Sequence, residues 1–463
     1  MGLSAKLKGG WASRSVWSIT DNLVQQVLSF IIFAVLARWL TPHEFGLLAI
    51  AHLMVLFTRM SLLDALAMPV VRAPEVNDGL FDWLFTTCTV VTLAVAALMA
   101  AVSWPLAQFF EAPELTWVLV GMSFSVVLFG LARAHEARLL REGNFRLIAI
   151  RSLCSVTAGG AVALWLASRG YGALALVAQQ LVIGVVALFV AVVAEWKTWR
   201  PRWNWSREML REHTAESRRI GINACVNYAN SNGDAALVSV MFGPAATGLY
   251  NLAKRVLSAA YLVVAASLSR VGVSLFVQKQ KDPVELALAY RRMLGWTLLL
   301  LAPMYAVVSL VAEPLVVLAF GERWRESASL FGWMSVAYVS QSAFWLGQSV
   351  LYVVKRSEWV LKLSTAQLVL AVVLSLVFSP YGMQGIAAGV ALASAVGCVL
   401  MQIAVHRQLG VTGRSFIHAT LPAAAGTLAA AALLWSLPHA GFNPQNMNTY
   451  FTSKESFTSW QKQ

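Results

Sequence analysis

The chain has 463 residues, of which 58% are hydrophobic and only 12% are charged. A water-soluble core cannot hold that much apolar surface, so the composition excludes a soluble globular protein and predicts one that is solvated by lipid. The formal net charge of +13 would suit a nucleic-acid partner, but Lys and Arg concentrate in alternate predicted loops. That is the positive-inside pattern of a multi-pass membrane protein, and it excludes nucleic acid as the partner.

Apolar stretches long enough to cross about 30 Å of hydrocarbon predict the membrane helices. In chain order they lie at residues 15–37, 46–69, 82–104, 115–133, 150–168, 173–194, 220–242, 246–269, 293–312, 327–352, 360–379, 382–405 and 416–437. The first stretch is too long and too polar on one side for a cleaved signal peptide, so we expect it in the mature chain. The basic residues Lys6, Lys8 and Arg14 place the N-terminus in the cytoplasm.

Two short motifs occur twice between apolar stretches. Pro42-x-x-x-Gly46-Leu47 returns as Pro244-x-x-x-Gly248-Leu249, and Tyr171-Gly172 returns as Tyr381-Gly382. This order indicates an internal duplication, which is typical of transporters built from two matching helical bundles. We therefore predict an all-α polytopic membrane protein with about 12 to 14 transmembrane helices, as two six-helix lobes related by a pseudo-twofold axis along the membrane normal.

The predicted lobes comprise residues 1–195 and 220–410. Between them, residues 196–219 form a basic, Trp-rich linker with Trp196, Trp199, Trp203 and Trp205. We interpret it as a cytoplasmic segment lying among the lipid headgroups, where indoles anchor and cations face anionic lipid; the alternative is a surface that captures substrate. Residues 411–437 are predicted to add one more transmembrane helix, and the polar tail at 438–463 is predicted to be disordered.

A polar stripe runs along the seventh predicted helix. Asn223, Asn227, Asn230 and Asp234 are spaced by four, three and four residues, which places them on one helical face. The first helix carries Asp21 and Gln25 at the equivalent place of the duplication. Such groups need polar partners in hydrocarbon, either other helices or water. Because the stripe occurs in both repeats, we favour a hydrated central cavity that the three Asn residues and Gln25 would line.

Charged residues also fall inside predicted membrane helices, where they are functional candidates by default. Arg59 and Asp64 lie in the second helix, and Lys254 and Arg255 lie in the eighth. The alternative for Arg59 is a structural ion pair with a nearby carboxylate, and for Lys254 and Arg255 it is snorkelling to headgroups. If these cations line the cavity, they would bind an anionic group such as a phosphate. Asp21, Asp64 and Asp234 would then be candidates for proton or cation coupling.

No catalytic motif was found in the sequence. It has no G-x-x-x-x-G-K-[ST] loop for ATP and no H-x-x-x-H pair for a metal. Its four cysteines all fall in apolar stretches without paired spacing, which is typical of small buried side chains. We therefore expect neither an enzyme nor a cofactor or metal site.

Three segments together resemble one known family: Val35 to Leu47, Asp234 to Arg255, and Gly170 to Ala173. They are similar to the polysaccharide-transport family, the O-antigen and exopolysaccharide flippases of the multidrug/oligosaccharidyl-lipid/polysaccharide exporter superfamily. The resemblance implies two six-helix lobes around a cationic cavity that opens alternately to either side of the bacterial inner membrane. It implies an undecaprenyl-pyrophosphate-linked oligosaccharide as cargo and an ion gradient or the membrane potential as driving force. The implied partners are this lipid-linked oligosaccharide and anionic phospholipids, with the polysaccharide polymerase and chain-length machinery as further candidates.

Two other functions are compatible with parts of this pattern. A multidrug or organic-cation antiporter of the same superfamily would share the duplication, but its cavity should offer mainly carboxylates and aromatic rings. A membrane enzyme acting on the same lipid-linked glycan would need a catalytic surface outside the membrane, whereas the predicted outward loops are short. Arg59, Lys254 and Arg255 in membrane segments favour the flippase.

Overall fold

The computed structural model describes residues 24–73 and 77–410. The predicted helix at 416–437, the tail at 438–463 and Asp21 lie outside these ranges. Within them the chain is built of helices joined by short connections and contains no β-strand. Eight helical segments there are long and apolar enough to cross a membrane, which agrees with the prediction of an all-α polytopic membrane protein.

The first half of the chain contains six helices. They are α1 (Val24–Trp39), α2 (Pro42–Arg72), α3 (Asp78–Phe109), α4 (Glu114–Glu142), α5 (Phe145–Ser168) and α6 (Ala173–Glu195). α2 is interrupted by a π-helical turn over Thr58–Leu63. Such turns widen the helix locally and occur often at functional sites.

The second half starts with a helical run from Arg207 to Lys279 that bends at Gly243. We divide it there into α7 (207–242) and α8 (244–279). The remaining helices are α9 (Pro283–Leu310), the short α10 (Ala312–Phe320), α11 (Phe331–Val353), α12 (Ser357–Phe378) and α13 (Gly382–Leu409). A 3₁₀ turn, Glu322–Leu330, joins α10 to α11.

Two helix boundaries differ from the prediction in a way that matters for function. α4 was predicted to end at residue 133 and α5 to begin at 150, but α4 runs to Glu142 and α5 begins at Phe145. Hydropathy falls at the first charged residues, and for that reason the helices predicted from hydropathy are shorter than those in the structure. In the structure these charges are neutralised by each other, so the helices continue. Glu136 therefore lies within a packed helix and not in a loop, and Arg133 and Arg151 lie well inside their helices instead of at the ends.

The chain divides into two compact units, Met1–Gly248 and Leu249–Gln463. The structure thus groups α7 with the first six helices. The boundary between compact units need not coincide with the boundary between duplicated halves, so the lobe boundaries at 195 and 220 remain a prediction.

Each unit has its own apolar core. In the first, Leu47, Met99 and Leu119 are completely buried where α2, α3 and α4 meet. In the second, α9, α11 and α13 pack around Tyr290, whose hydroxyl donates a hydrogen bond to the Gln402 amide oxygen. The core of each unit therefore includes its helices' long apolar stretches while leaving many aliphatic side chains exposed, as a lipid-solvated protein requires.

The first duplicated motif makes a reciprocal backbone contact within Met1–Gly248. A Cβ added to Gly46 would lie 1.7 Å from the carbonyl oxygen of Pro244, and one added to Gly248 would lie 1.9 Å from that of Pro42. The first turns of α2 and α8 therefore cross with no room for a side chain at either glycine. Gly is required at both positions because it lets two backbones approach this closely.

The second duplicated motif also keeps its geometry. Gly172 begins α6 with φ of 56°, and Gly382 begins α13 with φ of 74°. These are left-handed conformations that favour glycine. The repeated residues therefore serve the same turn in both halves, as the duplication predicts.

Residues 196–206, between α6 and α7, pack against the other helices of the first unit, and we call this segment the strap. Trp199 is only 5% exposed and its indole Nε1–H donates to Asp82 Oδ1 at 2.9 Å. The same oxygen accepts the Arg202 backbone N–H at 3.0 Å, and the Trp199 ring packs against His135 and Phe81. The interpretation of all four linker indoles as headgroup anchors is therefore wrong for Trp199. Trp196, Trp203 and Trp205 are exposed and remain compatible with it.

Removing the Asp82 carboxylate should release this strap. Asp82→Ala leaves the buried Trp199 indole N–H and the partly buried Arg202 N–H without this acceptor, and we expect a loss of about 2 kcal/mol of local stability. Trypsin should then cleave faster after Arg202. The matched control is Asp78→Ala, one turn earlier in α3, which breaks only an exposed ion pair with Arg138. Equal cleavage rates in both variants would contradict the role given to Asp82.

Candidate functional site

A polar cavity of ≈ 70 Å³ lies within the first unit, between α1, α2, α4, α5 and α6. Its polar lining consists of Gln25, Arg59, Arg133, Glu136, Arg151, Ser152 and Ser155. That volume holds about five water molecules. It can therefore accept one polar group of a ligand, but not a whole oligosaccharide.

Two arginines of this cavity are held by carboxylates. Arg133 pairs with Asp64 through Nη2 and Oδ1 at 2.7 Å, and with Glu136 through Nη1 and Oε2 at 3.0 Å. Arg151 Nη2 reaches the other oxygen of Glu136 at 2.9 Å. Glu136 thus bridges α4 to α5, while Asp64 ties α2 to α4. Arg133 and Arg151 are each only 7% exposed, so the pairing is needed to keep them inside the protein.

Arg59 lies in the π-helical turn of α2, and its guanidinium carbon is 5.2 Å above the centre of the Phe129 ring. Among residues 24–73 and 77–410 it forms no ion pair, because Asp64 pairs with Arg133 instead. The sequence-based alternative of a structural ion pair for Arg59 is not realised there. A guanidinium that stacks on an aromatic ring keeps its N–H groups available to an anion.

The cavity carries an excess of positive charge. The cavity and its ion pairs contain three arginines and two carboxylates, which gives a formal charge of 3 − 2 = +1. The arginines are Arg59, Arg133 and Arg151, and the carboxylates are Asp64 and Glu136. In addition, the buried Nε–H groups of Arg133 and Arg151 have no hydrogen-bond partner in the described part of the chain. Unpaired donors and a net positive charge favour an anionic group with several acceptor oxygens.

Three of the predicted site residues meet here. Gln25 and Arg59 line the cavity, and Asp64 is attached to it through Arg133. Asp21 lies outside the described residues. This cavity lies among helices of the first unit, so the predicted central cavity lined from both halves and the functional roles of these side chains remain predictions.

The polar stripe of α7 lies apart from the lining of this cavity. Asn223 and Asn227 are exposed, whereas Asn230 and Asp234 are half-buried. The Asn230 amide donates to the Val226 carbonyl at 3.2 Å, and Asp234 Oδ1 accepts the N–H of Ala235 at 2.8 Å. The stripe therefore has hydrogen bonds within its own helix, and its proposed contact with cargo remains a prediction.

Lys254 and Arg255 belong to the second unit. Lys254 is half-buried, and its backbone carbonyl accepts the Tyr338 hydroxyl at 3.2 Å. Tyr338 stacks on Tyr305 with ring centres 5.9 Å apart. Lys254 thus lies on α8 beside an aromatic cluster, whereas Arg255 on the same helix is exposed. For both cations the choice between cavity lining and snorkelling remains a prediction.

Arg133, Glu136 and Arg151 were not recognised as site residues from the sequence. Arg133 and Arg151 lie at the ends of the predicted helices 115–133 and 150–168, and Glu136 lies in the predicted loop between them. One signal could have extended the helix to Glu136, namely the Arg133–Glu136 spacing of three residues, which brings opposite charges together on one helical face.

Comparison with known proteins gives a consistent result. A family model described as "Polysaccharide biosynthesis protein" matches residues 35–329. The "Succinoglycan biosynthesis transport protein ExoT" of Rhizobium meliloti (strain 1021) is 27% identical over 329 residues, which cover 69% of this chain and 65% of that protein. The "Lipopolysaccharide biosynthesis protein WzxC" of Escherichia coli (strain K12) is 21% identical over 314 residues, which cover 68% and 64%. The chain thus spans just under two thirds of the length of these relatives.

Solved structures show the same architecture. The "Lipid II flippase MurJ, inward closed conformation" superposes with a TM-score of 0.74 at 13% identity, covering 92% of this chain and 93% of MurJ. An inward-facing multidrug resistance MATE family transporter of the MOP superfamily gives 0.61 at 15% identity, covering 83% and 94%. At these identities the likeness concerns the fold alone. It confirms the prediction of an all-α, two-lobe transporter fold.

Proposed function

The chain belongs to the polysaccharide biosynthesis protein family, and from this membership we propose that it is a flippase for undecaprenyl-pyrophosphate-linked oligosaccharides. It would carry these units across the bacterial inner membrane for O-antigen or exopolysaccharide synthesis, with its N-terminus in the cytoplasm. Transport would proceed by alternating access and draw on an ion gradient or the membrane potential. The names of two relatives, a succinoglycan transport protein and a lipopolysaccharide biosynthesis protein, support this class of cargo.

The observation that carries the proposal is the cationic cavity with Arg59 outside any described ion pair. Every lipid-linked oligosaccharide of this class has a pyrophosphate between lipid and sugar, whatever its glycan. A cavity of ≈ 70 Å³ fits one such charged group and leaves the sugars and the lipid outside. Arg59 would bind the phosphate oxygens through its planar fork of N–H groups.

Anionic phospholipids are proposed as a second partner, at the strap. Trp196, Trp203 and Trp205 are between 55% and 68% exposed, and the Arg200 guanidinium lies 4.7 Å from the Trp196 ring centre. Exposed indoles beside cations suit the interface between lipid headgroups and water.

Arg59→Ala should reduce glycan export by about tenfold or more, because a charge-assisted contact to phosphate is lost. The variant is expressed in a strain deleted for the native gene. Surface polysaccharide and lipid-linked precursor in the inner membrane are then quantified, with abundance in the membrane as a check on folding. We expect loss of surface polymer and accumulation of the precursor. The control is Arg72→Ala, an exposed arginine of the same helix; full export by Arg59→Ala at normal abundance would overturn the cationic-cavity proposal.

A multidrug antiporter is the second candidate, because the fold is shared with a MATE transporter. The same deletion strain separates the two functions. Intact polymer with heightened drug sensitivity would assign the protein to drug export, whereas loss of polymer with unchanged drug sensitivity would support the flippase.

A further inference from the structure

The Asp64–Arg133 pair occupies the position that a ligand phosphate would need. Arg133 lines the cavity and is 7% exposed, yet its closest ionic partner, Asp64, reaches it from outside the cavity lining at 2.7 Å. The Asp64 side chain is 38% exposed, and in a membrane helix an exposed carboxylate requires water or polar neighbours because lipid solvates charge poorly. Glu136, by contrast, is held by two arginines at once and is 22% exposed.

We propose that Arg133 is a second phosphate-binding residue, which pairs with Asp64 while no cargo is bound. When the cargo's phosphate replaces the Asp64 carboxylate on Arg133, Asp64 takes up a proton. The proposal rests on the proposed function for the identity of the anion. It assigns Arg133 to phosphate binding and Asp64 to proton binding, and it makes the two events one exchange.

The exchange follows from the geometry of Arg133. Its Nη2 faces Asp64, its Nη1 faces Glu136 and its Nε–H has no partner in the described chain. A phosphate entering beside Arg59 would offer oxygens to Nε and Nη2 together, as a bidentate contact. Asp64 would then lose its counter-ion and face a second negative charge, which favours the protonated carboxyl. The proton comes from water at the exposed Asp64 carboxylate.

Among the described residues, no other ionisable group near Asp64 takes over its role of binding the proton. The ionisable groups near Asp64 are Arg59 on its own helix, Arg133 and Glu136 on α4, and the buried thiol of Cys88 on α3. Arg151 on α5 faces Glu136 instead. α7 approaches the same turn of α2 through Gly221, which has no ionisable group.

Linkage makes the exchange reciprocal: phosphate binding promotes protonation, and protonation promotes phosphate binding to the same extent. When Asp64 releases its proton, it competes with the phosphate for Arg133 and helps expel it. Cargo would therefore leave the cell together with one proton. The membrane potential, negative inside, favours outward movement of the anion, whereas a pH gradient that is acidic outside opposes the release of the proton. The membrane potential, and not the pH gradient, would therefore drive export.

The test uses the purified full-length protein and inorganic pyrophosphate. Calorimetric titrations at one pH, in two buffers of different ionisation enthalpy, give the affinity and the number of protons taken up. Asp64→Asn should bind pyrophosphate about threefold to tenfold tighter, because the competing carboxylate is gone, and should take up fewer protons than the wild type. Pyrophosphate's own change in protonation is common to both proteins and cancels in the difference. The control Asp78→Asn, which removes a carboxylate from an exposed ion pair on α3, should match the wild type in both measurements.

Arg133→Gln completes a double-mutant cycle. It should weaken binding, and adding Asp64→Asn to it should bring no gain, because the carboxylate would have no cation to compete for. If a variant does not fold, sulfate binding to the wild type tests the exchange instead, because the charge of sulfate is constant near neutral pH. The affinity of the wild type for sulfate should rise as the pH falls.

Unchanged affinity or unchanged proton uptake in folded Asp64→Asn would overturn the proposal, as would pH-independent sulfate binding or no pyrophosphate binding by the wild type. The flippase assignment is judged separately, by export in cells. Loss of export in Arg59→Ala with no exchange at Asp64 overturns only this proposal, whereas an exchange at Asp64 with export independent of Arg59 overturns the cationic-cavity basis of the flippase.

Discussion

Replacing Glu136 with Gln should destabilise the first unit by about 4 kcal/mol, because it removes the carboxylate that neutralises two buried arginines. Arg133 and Arg151 are 7% exposed and bind opposite oxygens of Glu136 at 3.0 and 2.9 Å. A neutral amide keeps the shape but leaves three arginines and one carboxylate around the cavity. The measurement is the thermal unfolding midpoint of the purified protein, together with its abundance in the membrane.

The matched control for this change is Glu142→Gln. Glu142 lies on the same helix and pairs with Arg138 at 3.2 Å, but its side chain is 50% exposed. An exposed pair contributes about 0.5 kcal/mol, so the control should unfold within a few degrees of the wild type. If both variants unfold at the same temperature, the bridging role of Glu136 is wrong.

Gly46→Ala should lower the free energy of unfolding by at least as much as Glu136→Gln, about 4 kcal/mol or more. The reason is that the new methyl group would overlap a backbone carbonyl and not a movable side chain. The overlap is with Pro244, whose oxygen would lie 1.7 Å from the added carbon. Relief requires the first turns of α2 and α8 to move apart. We expect low membrane abundance or a strongly lowered unfolding midpoint, and the same result for Gly248→Ala.

Gly233→Ala provides the control, since nothing lies within 4 Å of a Cβ added there. Gly233 is in α7, where alanine is also the better helix former, so this variant should be as stable as the wild type or more stable. Wild-type stability in both Gly46→Ala and Gly248→Ala would show that the two helix starts do not cross as closely as the geometry requires.

The helices and the duplication could be predicted from the sequence because both depend on local, repeated signals. Apolar length located the membrane segments, and Pro42, Gly46 and their repeats marked equivalent turns. Boundaries failed where charge interrupted hydropathy, as at the end of α4, since hydropathy does not register that two charges neutralise each other. The burial of Trp199 could not be predicted either, because it depends on Asp82, which is distant in sequence.

The candidate site was only half predictable for the same reason. Arg59 and Asp64 stand out as charges within an apolar segment, but the sequence does not show which residue Asp64 pairs with, and the structure pairs it with Arg133. A partner on another helix leaves no periodic signal. The site therefore combines three residues that were predicted from the sequence, Gln25, Arg59 and Asp64, with three that only packing brings together, Arg133, Glu136 and Arg151.

The contact between the two copies of the Pro-x-x-x-Gly-Leu motif also bears on the evolution of the chain. Each copy supplies both the glycine that is approached and the carbonyl that approaches it. A substitution in one glycine cannot be accepted by a change of side chain in the other copy, since the obstacle is backbone. At this crossing each copy of the motif therefore restricts substitution in the other, so the duplicated residues are expected to persist here even where the two halves differ elsewhere.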